Sequence, residues 1–354
     1  MSNSKKIFVG LSGGVDSSVT AALLKEQGYD VTGVFMKNWS QDLPGFPCPW
    51  KVDYQDAKRV AVQLGIPFLM FDFETEYRQK VVDYMIEGFK TGITPNPDIM
   101  CNQEIKFKLF LDTSLENGAD LIATGHYART KNGKLLQAKD ANKDQTYFLY
   151  RVTEAALQKT LFPLGDYTKP EVRKLAAKFG LVTAKKKESM GICFVGKVGI
   201  REFLAQFVDE MPGDIIDRHG VVVGSHDGAI FYTIGQRHGL NVGGGMPYYV
   251  TGKNMDKNEV YVTSDLNDKK LWTNKIILGN IHWINSKMVK DKKLSSKHIQ
   301  VRTRHRAPLV ACTLQVVDGT LQVMVSEEIR AITPGQSAVL YSDEQVLGGG
   351  IVVI

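Results

Sequence analysis

Residues 7–29 read IFVGLSGGVDSSVTAALLKEQGY, and this stretch decides the fold of the first domain. The apolar run at its start predicts a buried β-strand, and Ser17 to Gln27 predicts a helix that ends at Gly28. The segment between them, SGGVDSS, is rich in glycine and in small hydroxyl residues. Glycines let the backbone approach an anion, and the free N–H groups of a helix N-terminus attract it. The sequence therefore predicts a phosphate-binding loop.

The same alternation of strand and helix continues along the first half of the chain. Strands are predicted at 6–11 (KIFVGL), 31–36 (VTGVFM), 67–73 (PFLMFDF) and 120–126 (DLIATGH). Helices are predicted at 53–65, 75–92 and 102–119. Apolar strands separated by helices are typical of a parallel sheet covered on both faces, so we expect an α/β domain.

The pattern changes in the second half of the chain. The alternation fades near Lys185, and glycine-rich, β-branched stretches follow. From about residue 270 short alternating strands dominate, as in CTLQVVDGTLQVMV (312–325), which predicts a small β-barrel. We expect three domains: a catalytic domain over 1–200, a central β-rich domain over 201–268 and a C-terminal barrel over 269–354.

Composition limits the possible classes of function. The chain has 354 residues, 43% of them hydrophobic, and a formal net charge of +6, which permits a polyanionic partner but is also common among enzymes. No apolar run reaches the ~18 residues that span a bilayer, and the first apolar stretch is too short for a signal peptide. We expect a cytoplasmic protein with no membrane partner. The four cysteines show no CxxC spacing, so a structural zinc site is not expected.

The predicted loop lacks the lysine of the P-loop signature G-x-x-x-x-G-K-[ST]. In P-loop enzymes that lysine reaches the β- and γ-phosphates, where the γ-phosphoryl group is commonly transferred. A loop without it suits attack at the α-phosphate with release of pyrophosphate, and Asp16 is then a candidate Mg²⁺ ligand. The alternative, from the residues alone, is an ordinary glycine-rich turn between strand and helix.

Several further blocks resemble one family. In chain order they are SGGVDSS (12–18), GVFMKNW (33–39), TPNPDIMCNQEIKF (94–107), ATGHYAR (123–129), KDQTYFLY (143–150), ESMGICFVG (188–196), YTIGQRHGL (232–240) and PGQSAVLY (334–341). The first resembles the signature of the PP-loop ATP pyrophosphatases, and together they resemble the tRNA-specific 2-thiouridylase family over essentially the whole chain. The resemblance implies a PP-loop domain like those of adenine nucleotide α-hydrolases, a central domain and a tRNA-binding barrel. It implies ATP-dependent thiolation of the tRNA wobble uridine at C2 through an adenylated uridine, with AMP and pyrophosphate as products.

Two cysteines are candidates for catalysis. Asp98 and Cys101 come just before a predicted helix, whose dipole would stabilise a thiolate, and Cys193 follows the lysine run Lys185–Lys187. Taken alone, each cysteine also fits a structural place, as we expect for Cys48 in a loop and Cys312 in a strand.

The resemblance implies a role for each of these residues. Cys193 would carry a persulfide, and Cys101 would attack it, either releasing hydrogen sulfide or leaving a Cys101–Cys193 disulfide as sulfur moves to the RNA. Asp98 would be the general acid/base. A cysteine desulfurase or a sulfur-relay protein would load Cys193.

The resemblance also implies two sets of binding residues. ATP contacts are expected from Gly10, Leu11, Ser12, Gly13, Gly14, Val15, Asp16, Ser17, Met36 and Gly125. Contacts with tRNA are expected from Asn96, Pro97, Asp98, His126, Lys143, Asp144, Gln145, Arg304, His305 and Gln336. His305 replaces the family's more usual aromatic residue, which predicts either weaker stacking on RNA or a hydrogen bond in its place. The basic stretch 287–306 fits a track for tRNA, or alternatively a solvated surface.

Two other functions share part of this pattern. A PP-loop synthetase that forms an amide or guanidine would share SGGVDSS but would need neither paired cysteines nor a basic barrel. A non-catalytic RNA-binding protein would not need Asp16, Asp98, Cys101 and Cys193 together.

Overall fold

The computed structural model describes residues 4–187, 198–240, 242–243, 245–285 and 298–353. Its N-terminal part is built on a five-stranded parallel sheet of order β3-β2-β1-β4-β7. The strands are β1 (Lys6–Gly10), β2 (Asp30–Lys37), β3 (Phe68–Asp72), β4 (Leu121–Ala123) and β7 (Thr160–Leu161). β1 lies at the centre, and Ile7 pairs with Val31 on one side and Leu121 on the other. This confirms the predicted α/β fold.

The helices of this part cover the sheet and supply the loops at its edge. They are α1 (Val15–Glu26), α2 (Trp50–Leu64), α3 (Glu74–Tyr77), α4 (Asp83–Lys90), α5 (Pro97–Met100), α6 (Phe110–Glu116), α7 (Thr146–Leu149), α8 (Glu154–Gln158) and α9 (Lys169–Lys178). Two π-helical segments, Arg78–Val82 and Cys101–Leu109, join α3 to α4 and α5 to α6.

One predicted helix start was wrong. The sequence placed Asp98 and Cys101 before a helix, but the helix begins at Pro97, with Asn96 as its N-cap. The Asn96 side chain accepts a hydrogen bond from the Ile99 N–H, and proline is favoured in the first turn of a helix. Asp98 is therefore in the first turn, and Cys101 opens the π-helical segment.

The central part is a small four-stranded sheet of order β10-β11-β8-β9, preceded by α10 (Ile200–Leu204). Its strands are β8 (Gly213–Ile216), β9 (Val222–His226), β10 (Tyr249–Asn254) and β11 (Glu259–Thr263). It has its own small core around Ile215, Val250 and Val260.

The C-terminal part is a closed six-stranded barrel, as predicted. Its strands are β12 (Trp272–Trp283), β13 (Ile299–Arg302), β14 (Val310–Val317), β15 (Thr320–Arg330), β16 (Ser337–Ser342) and β17 (Gln345–Val353). The order β12-β15-β14-β13-β16-β17 closes through pairing of β12 with β17. Closure requires Gly348, because a Cβ there would lie 2.2 Å from the His282 carbonyl oxygen.

The barrel is joined directly to the N-terminal part. The hairpin of β5 (Arg129–Lys131) and β6 (Lys134–Leu136) extends the barrel sheet by pairing β6 with β17. The buried Tyr147 hydroxyl donates to the Ser337 carbonyl oxygen at 2.9 Å. No helix in the described ranges is long and apolar enough to cross a membrane.

Candidate active site

The predicted phosphate loop lies between β1 and α1, at the carboxyl edge of the sheet. The Ser17 and Ser18 hydroxyls both donate to the Gly14 carbonyl oxygen, at 3.0 and 2.8 Å, and the Ser12 N–H donates to the Ser17 hydroxyl at 3.2 Å. Gly13 has φ +73°, and a Cβ there would lie 2.3 Å from the Asp53 carbonyl oxygen. The loop is therefore wound tightly around the first turn of α1 and pressed against α2.

A lysine from another element reaches this loop. Lys169, the first residue of α9, places its Nζ 2.8 Å from both carboxylate oxygens of Asp16. The Tyr127 hydroxyl donates to the same carboxylate at 3.0 Å. Only 11% of the Lys169 side chain is exposed, so this ion pair is shielded from most of the solvent. The loop sequence contains no lysine, but Lys169 of α9 places one beside it.

A cavity of about 470 Å³ opens in front of the loop, and we call it the main cavity. Thirteen of the predicted site residues line it: Gly10, Ser12, Gly14, Val15, Asp16, Ser17, Met36, Asp98, Gly125, His126, Lys143, Gln145 and His305. The structure thus brings residues predicted to bind ATP together with residues predicted to bind RNA. Eight predicted residues are not part of its lining: Leu11, Gly13, Asn96, Pro97, Cys101, Asp144, Arg304 and Gln336.

Among the lining residues that the sequence interpretation did not include, Lys169, Asn38 and Phe148 bear most directly on the site. Lys169 lies in TKPEVRKL, which signals a helix start but not a reach to residue 16. Asn38 follows β2 and is 1% exposed, and neither its amide nitrogen nor its amide oxygen has a hydrogen-bond partner among the described residues. Its block, GVFMKNW, carried part of the family resemblance. Phe148 lines the cavity and stacks against His305, with ring centroids 4.7 Å apart.

Asp98 on α5 and Cys101 at the start of the next segment differ in their access to the main cavity. Asp98 lines the main cavity, whereas Cys101, three residues later, is fully buried. Positions three apart are neighbours on a helix, so Cys101 lies close to Asp98 although it is not part of the cavity lining. The second candidate cysteine, Cys193, lies outside the described residues. Cys312 is on β14, where burial raises the pKa of its thiol to about 12.

His126 is a neutral, fixed side chain of the cavity wall. Burial, together with the positive charge of Lys106, holds the pKa of His126 well below its ordinary value. Its Nδ1 lies 2.8 Å from the Thr124 hydroxyl, and Phe107 stacks on it at 5.5 Å. A neutral imidazole can hydrogen-bond a base or ribose but adds no charge.

Asp144, expected to contact RNA, has a different place. Its carboxylate is 2% exposed and accepts hydrogen bonds from the Thr146 hydroxyl, the Ala138 N–H and the Arg302 guanidinium. It therefore anchors the 143–145 turn to barrel strand β13. Its neighbours Lys143 and Gln145 are the ones that line the main cavity.

The barrel residues expected to contact tRNA also make internal bonds. Arg304 donates through Nη2 to the Ala331 carbonyl oxygen at 2.7 Å, and Gln336 donates to the Thr94 carbonyl oxygen at 2.8 Å. The second bond ties the barrel to the turn just before Asn96. The first bond lies within the C-terminal part, so only the second joins the barrel to the N-terminal part.

Comparison with known proteins decides the family. Family models match residues 5–197 ("tRNA methyl transferase HUP domain"), 201–264 ("tRNA methyl transferase PRC-barrel domain") and 273–352 ("Aminomethyltransferase beta-barrel domain"). The tRNA-specific 2-thiouridylase MnmA of Bacillus subtilis is 46% identical over 98% of this chain and 94% of its own length. The MnmA of Bacillus cytotoxicus is 44% identical over the same shares.

The chain belongs to the tRNA-specific 2-thiouridylase (MnmA) family.

The family names differ in the chemistry they mention. The models are named for methyl transfer, whereas the curated MnmA relatives are named for thiolation. A solved 4-thiouridine synthetase–RNA complex with bound ATP aligns with a TM-score of 0.37 and 19% identity, over 57% of this chain and 50% of that one. The MnmA assignment rests on the full-length relatives.

The geometry of the loop predicts which of its paired glycines is required for folding. Gly13→Ala should lower the thermal unfolding midpoint by several degrees, because the new Cβ would meet the Asp53 carbonyl oxygen at 2.3 Å in a left-handed backbone. Gly14→Ala is the matched control, since its nearest atom would be the Ser12 hydroxyl at 3.4 Å. Scanning calorimetry of both variants without ligand checks this. Equal midpoints for the two would contradict the described loop.

Proposed function

We propose that this chain replaces the 2-oxygen of the wobble uridine of tRNA with sulfur, using ATP to activate the carbonyl. The proposal rests on one observation: residues expected to bind ATP and residues expected to bind RNA line the same cavity. The phosphate loop, Asp98 and the basic residue Lys143 all line it, so a nucleotide and a base can meet there. The activity named in the MnmA relatives supports the same conclusion.

The residues present fit ATP. The N-terminus of α1 offers N–H groups of the loop, and the Ser12 hydroxyl lies beside them. Met36 lines the cavity at the end of β2 and supplies an apolar surface suited to adenine. We propose that Lys169 pairs with Asp16 in the free protein and takes a phosphate oxygen when ATP binds. Lys169 would then supply the positive charge that P-loops obtain from a lysine within the loop itself.

The described residues offer fewer ligands for Mg²⁺ than for ATP. Both Asp16 oxygens already accept from Lys169, and within the described ranges no group of three His, Cys, Asp or Glu side chains could hold a metal. Mg²⁺ commonly keeps several waters and uses one or two carboxylates with substrate phosphates. We propose that Mg²⁺ enters as its ATP complex, with Asp16 as the expected protein ligand.

The proposed first step activates the uracil. Asp98 accepts the N3 proton while the uracil 2-oxygen attacks the α-phosphorus, and the bond to pyrophosphate breaks. The oxygen is then part of an adenylate, which makes AMP a good leaving group. A wobble nucleotide is in a loop, where pulling a base from its stack costs least. Asn96 and Pro97 shape the turn that would meet this base.

The proposed second step delivers sulfur. The outer sulfur of a Cys193 persulfide attacks C2, and AMP leaves with the original oxygen. The Cys101 thiolate attacks the Cys193 sulfur, which breaks the bond to the transferred atom and leaves a Cys101–Cys193 disulfide. In the other order, Cys101 attacks first and displaces sulfide, which then attacks C2. Either order oxidises the two cysteines, so a thiol reductant must restore them before the next turnover. A cysteine desulfurase or a relay protein would supply the persulfide sulfur.

The competing function is a PP-loop synthetase that adds nitrogen to a small carbonyl substrate. It would use the same loop, but it gives no reason for Lys143, His305 and Arg306 to line the main cavity. Mass spectrometry of the product, which shows whether sulfur or nitrogen enters it, separates the two.

The first prediction concerns ATP. With wobble-uridine tRNA present, ATP should yield AMP and pyrophosphate, because the loop holds the phosphates for attack at the α-position. Lys169→Met should lower kcat/KM on the order of 10²-fold, which is typical when one group that stabilises developing charge is removed. Lys169→Arg keeps the positive charge and should retain part of the activity. Lys178→Met, on the same helix but paired with Glu26 at the surface, is the control and should be unchanged. ADP as the main product, or full activity in Lys169→Met, would contradict this account of the loop.

The second prediction separates the cysteines. After loading with a desulfurase and cysteine, intact mass should show one added sulfur on Cys101→Ser, but none on Cys193→Ser. Neither variant should form 2-thiouridine, and both should still bind ATP and tRNA. Cys312→Ser, on a barrel strand, serves as the control and should behave as the wild type. Sulfur mapped to Cys101 in Cys193→Ser would reverse the two roles, and full thiolation by either variant would remove the two-cysteine step.

A further inference from the structure

A second cavity, the arginine pocket, lies where the central sheet meets the barrel. Its volume is about 350 Å³, and it is lined by Gly235, Arg237, Tyr249, Arg304, Arg330 and Ala331. Half of the lining residues are arginines and none is an acid. Of the three arginines, only Arg304 is among the residues that the family resemblance implicates in tRNA binding.

No described carboxylate neutralises the positive charges of this pocket. Across the described ranges, no carboxylate forms an ion pair with any of the three arginines, whereas Arg302, at the end of β13 and two residues before Arg304, is paired with Asp144. Burial lowers the pKa of Arg304, and the positive charge of Arg330 lowers it further. Repulsion among these arginines costs free energy in the unliganded protein, and a bound anion would reduce that repulsion.

The guanidinium groups are held in place around the cavity. Arg330 lies over the Tyr249 ring at 4.5 Å, and its Nε is buried with no hydrogen-bond partner in the part of the chain that the structure describes. The bonds of Arg304 to Ala331 and Thr333 go through Nη2 alone. A buried donor without a partner is costly and is a sign of a missing acceptor. Gly235 and Ala331 close the wall so tightly that a Cβ on Gly235 would lie 2.4 Å from the Ala331 Cβ.

We propose that the arginine pocket binds a phosphate of the tRNA backbone. A planar guanidinium presents paired N–H donors that match phosphate oxygens, and three of them around one cavity suit a group with several acceptor oxygens. The inference rests on the proposed function and adds a substrate contact to it, through Arg237 of the central part and Arg330 of the barrel.

The position of the pocket favours RNA over an acidic protein. Arg304 lines the pocket, and the next two residues, His305 and Arg306, line the main cavity. The two cavities therefore lie on either side of one short turn. A strand of RNA with its base in the main cavity that crosses this turn would bring a neighbouring phosphate to the arginines.

The test uses single variants of the full-length protein. Arg237→Gln and Arg330→Gln should each weaken tRNA binding about tenfold near 150 mM salt. Each should also reduce the slope of log Kd against log salt concentration by about 0.7 to 0.9. Arg218→Gln removes an exposed arginine of the central part that pairs with Asp265, and it should leave both quantities unchanged. Arg237 is exposed, so its variant tests the pocket even if Arg330→Gln unfolds.

Three outcomes would overturn the proposal. The first is an unchanged Kd and slope in a folded Arg237→Gln protein. The second is normal tRNA binding with a loss of thiolation only when sulfur comes from a desulfurase, which would assign the pocket to an acidic protein partner. The third is that millimolar inorganic phosphate stabilises the wild type but not Arg330→Gln, while tRNA binding is unchanged in the variants. This result would assign the arginine pocket to a free anion. Thiolation by the wild type is measured in parallel, so that failure of the proposed function is seen separately from failure of the pocket.

Discussion

The ion pair between Asp16 and Lys169 is the interaction on which the candidate site depends. It joins the start of α1 to the start of α9, 153 positions apart, and Tyr127 braces the same carboxylate. Because both partners are mostly shielded, removing either one leaves an uncompensated charge at the loop, which costs more than the loss of an exposed pair. The pair holds a cation beside a phosphate loop that has none of its own.

The sheet topology explains why the other groups meet there. In a parallel sheet the carboxyl ends of all strands lie at one edge, so the loops after β1, β2 and β4 bring the phosphate loop, Asn38 and His126 to the same cavity. The opposite wall is made by the 143–145 turn and by His305 of the barrel. Buried bonds such as Asp144–Arg302 and Gln336–Thr94 fix that wall. The cavity is thus closed by contacts between domains rather than by any one of them.

The sequence predicted much of this, for identifiable reasons. The three-part architecture, the phosphate loop and the place of Asp98 at the cavity all follow local signals: strand and helix periodicity, a glycine-rich turn and a distinctive motif. Lys169 could not be predicted, because its contact with Asp16 depends on how α9 packs, not on any pattern around residue 169. The burial of Asp144 was missed for the same reason, since its partner Arg302 lies on a barrel strand. The helix start at Pro97 does follow a local signal, since asparagine is a favoured N-cap and proline a favoured first residue of a helix.

The central claim is that the uracil 2-oxygen is activated by transfer to the α-phosphate of ATP. The most direct test uses tRNA carrying ¹⁸O at the 2-position of its wobble uridine, with ATP, a sulfur source and this protein, followed by mass spectrometry of the AMP. The account predicts one ¹⁸O in AMP for each 2-thiouridine formed. Thiolation accompanied by AMP without ¹⁸O, with the label in water or in pyrophosphate, would contradict it.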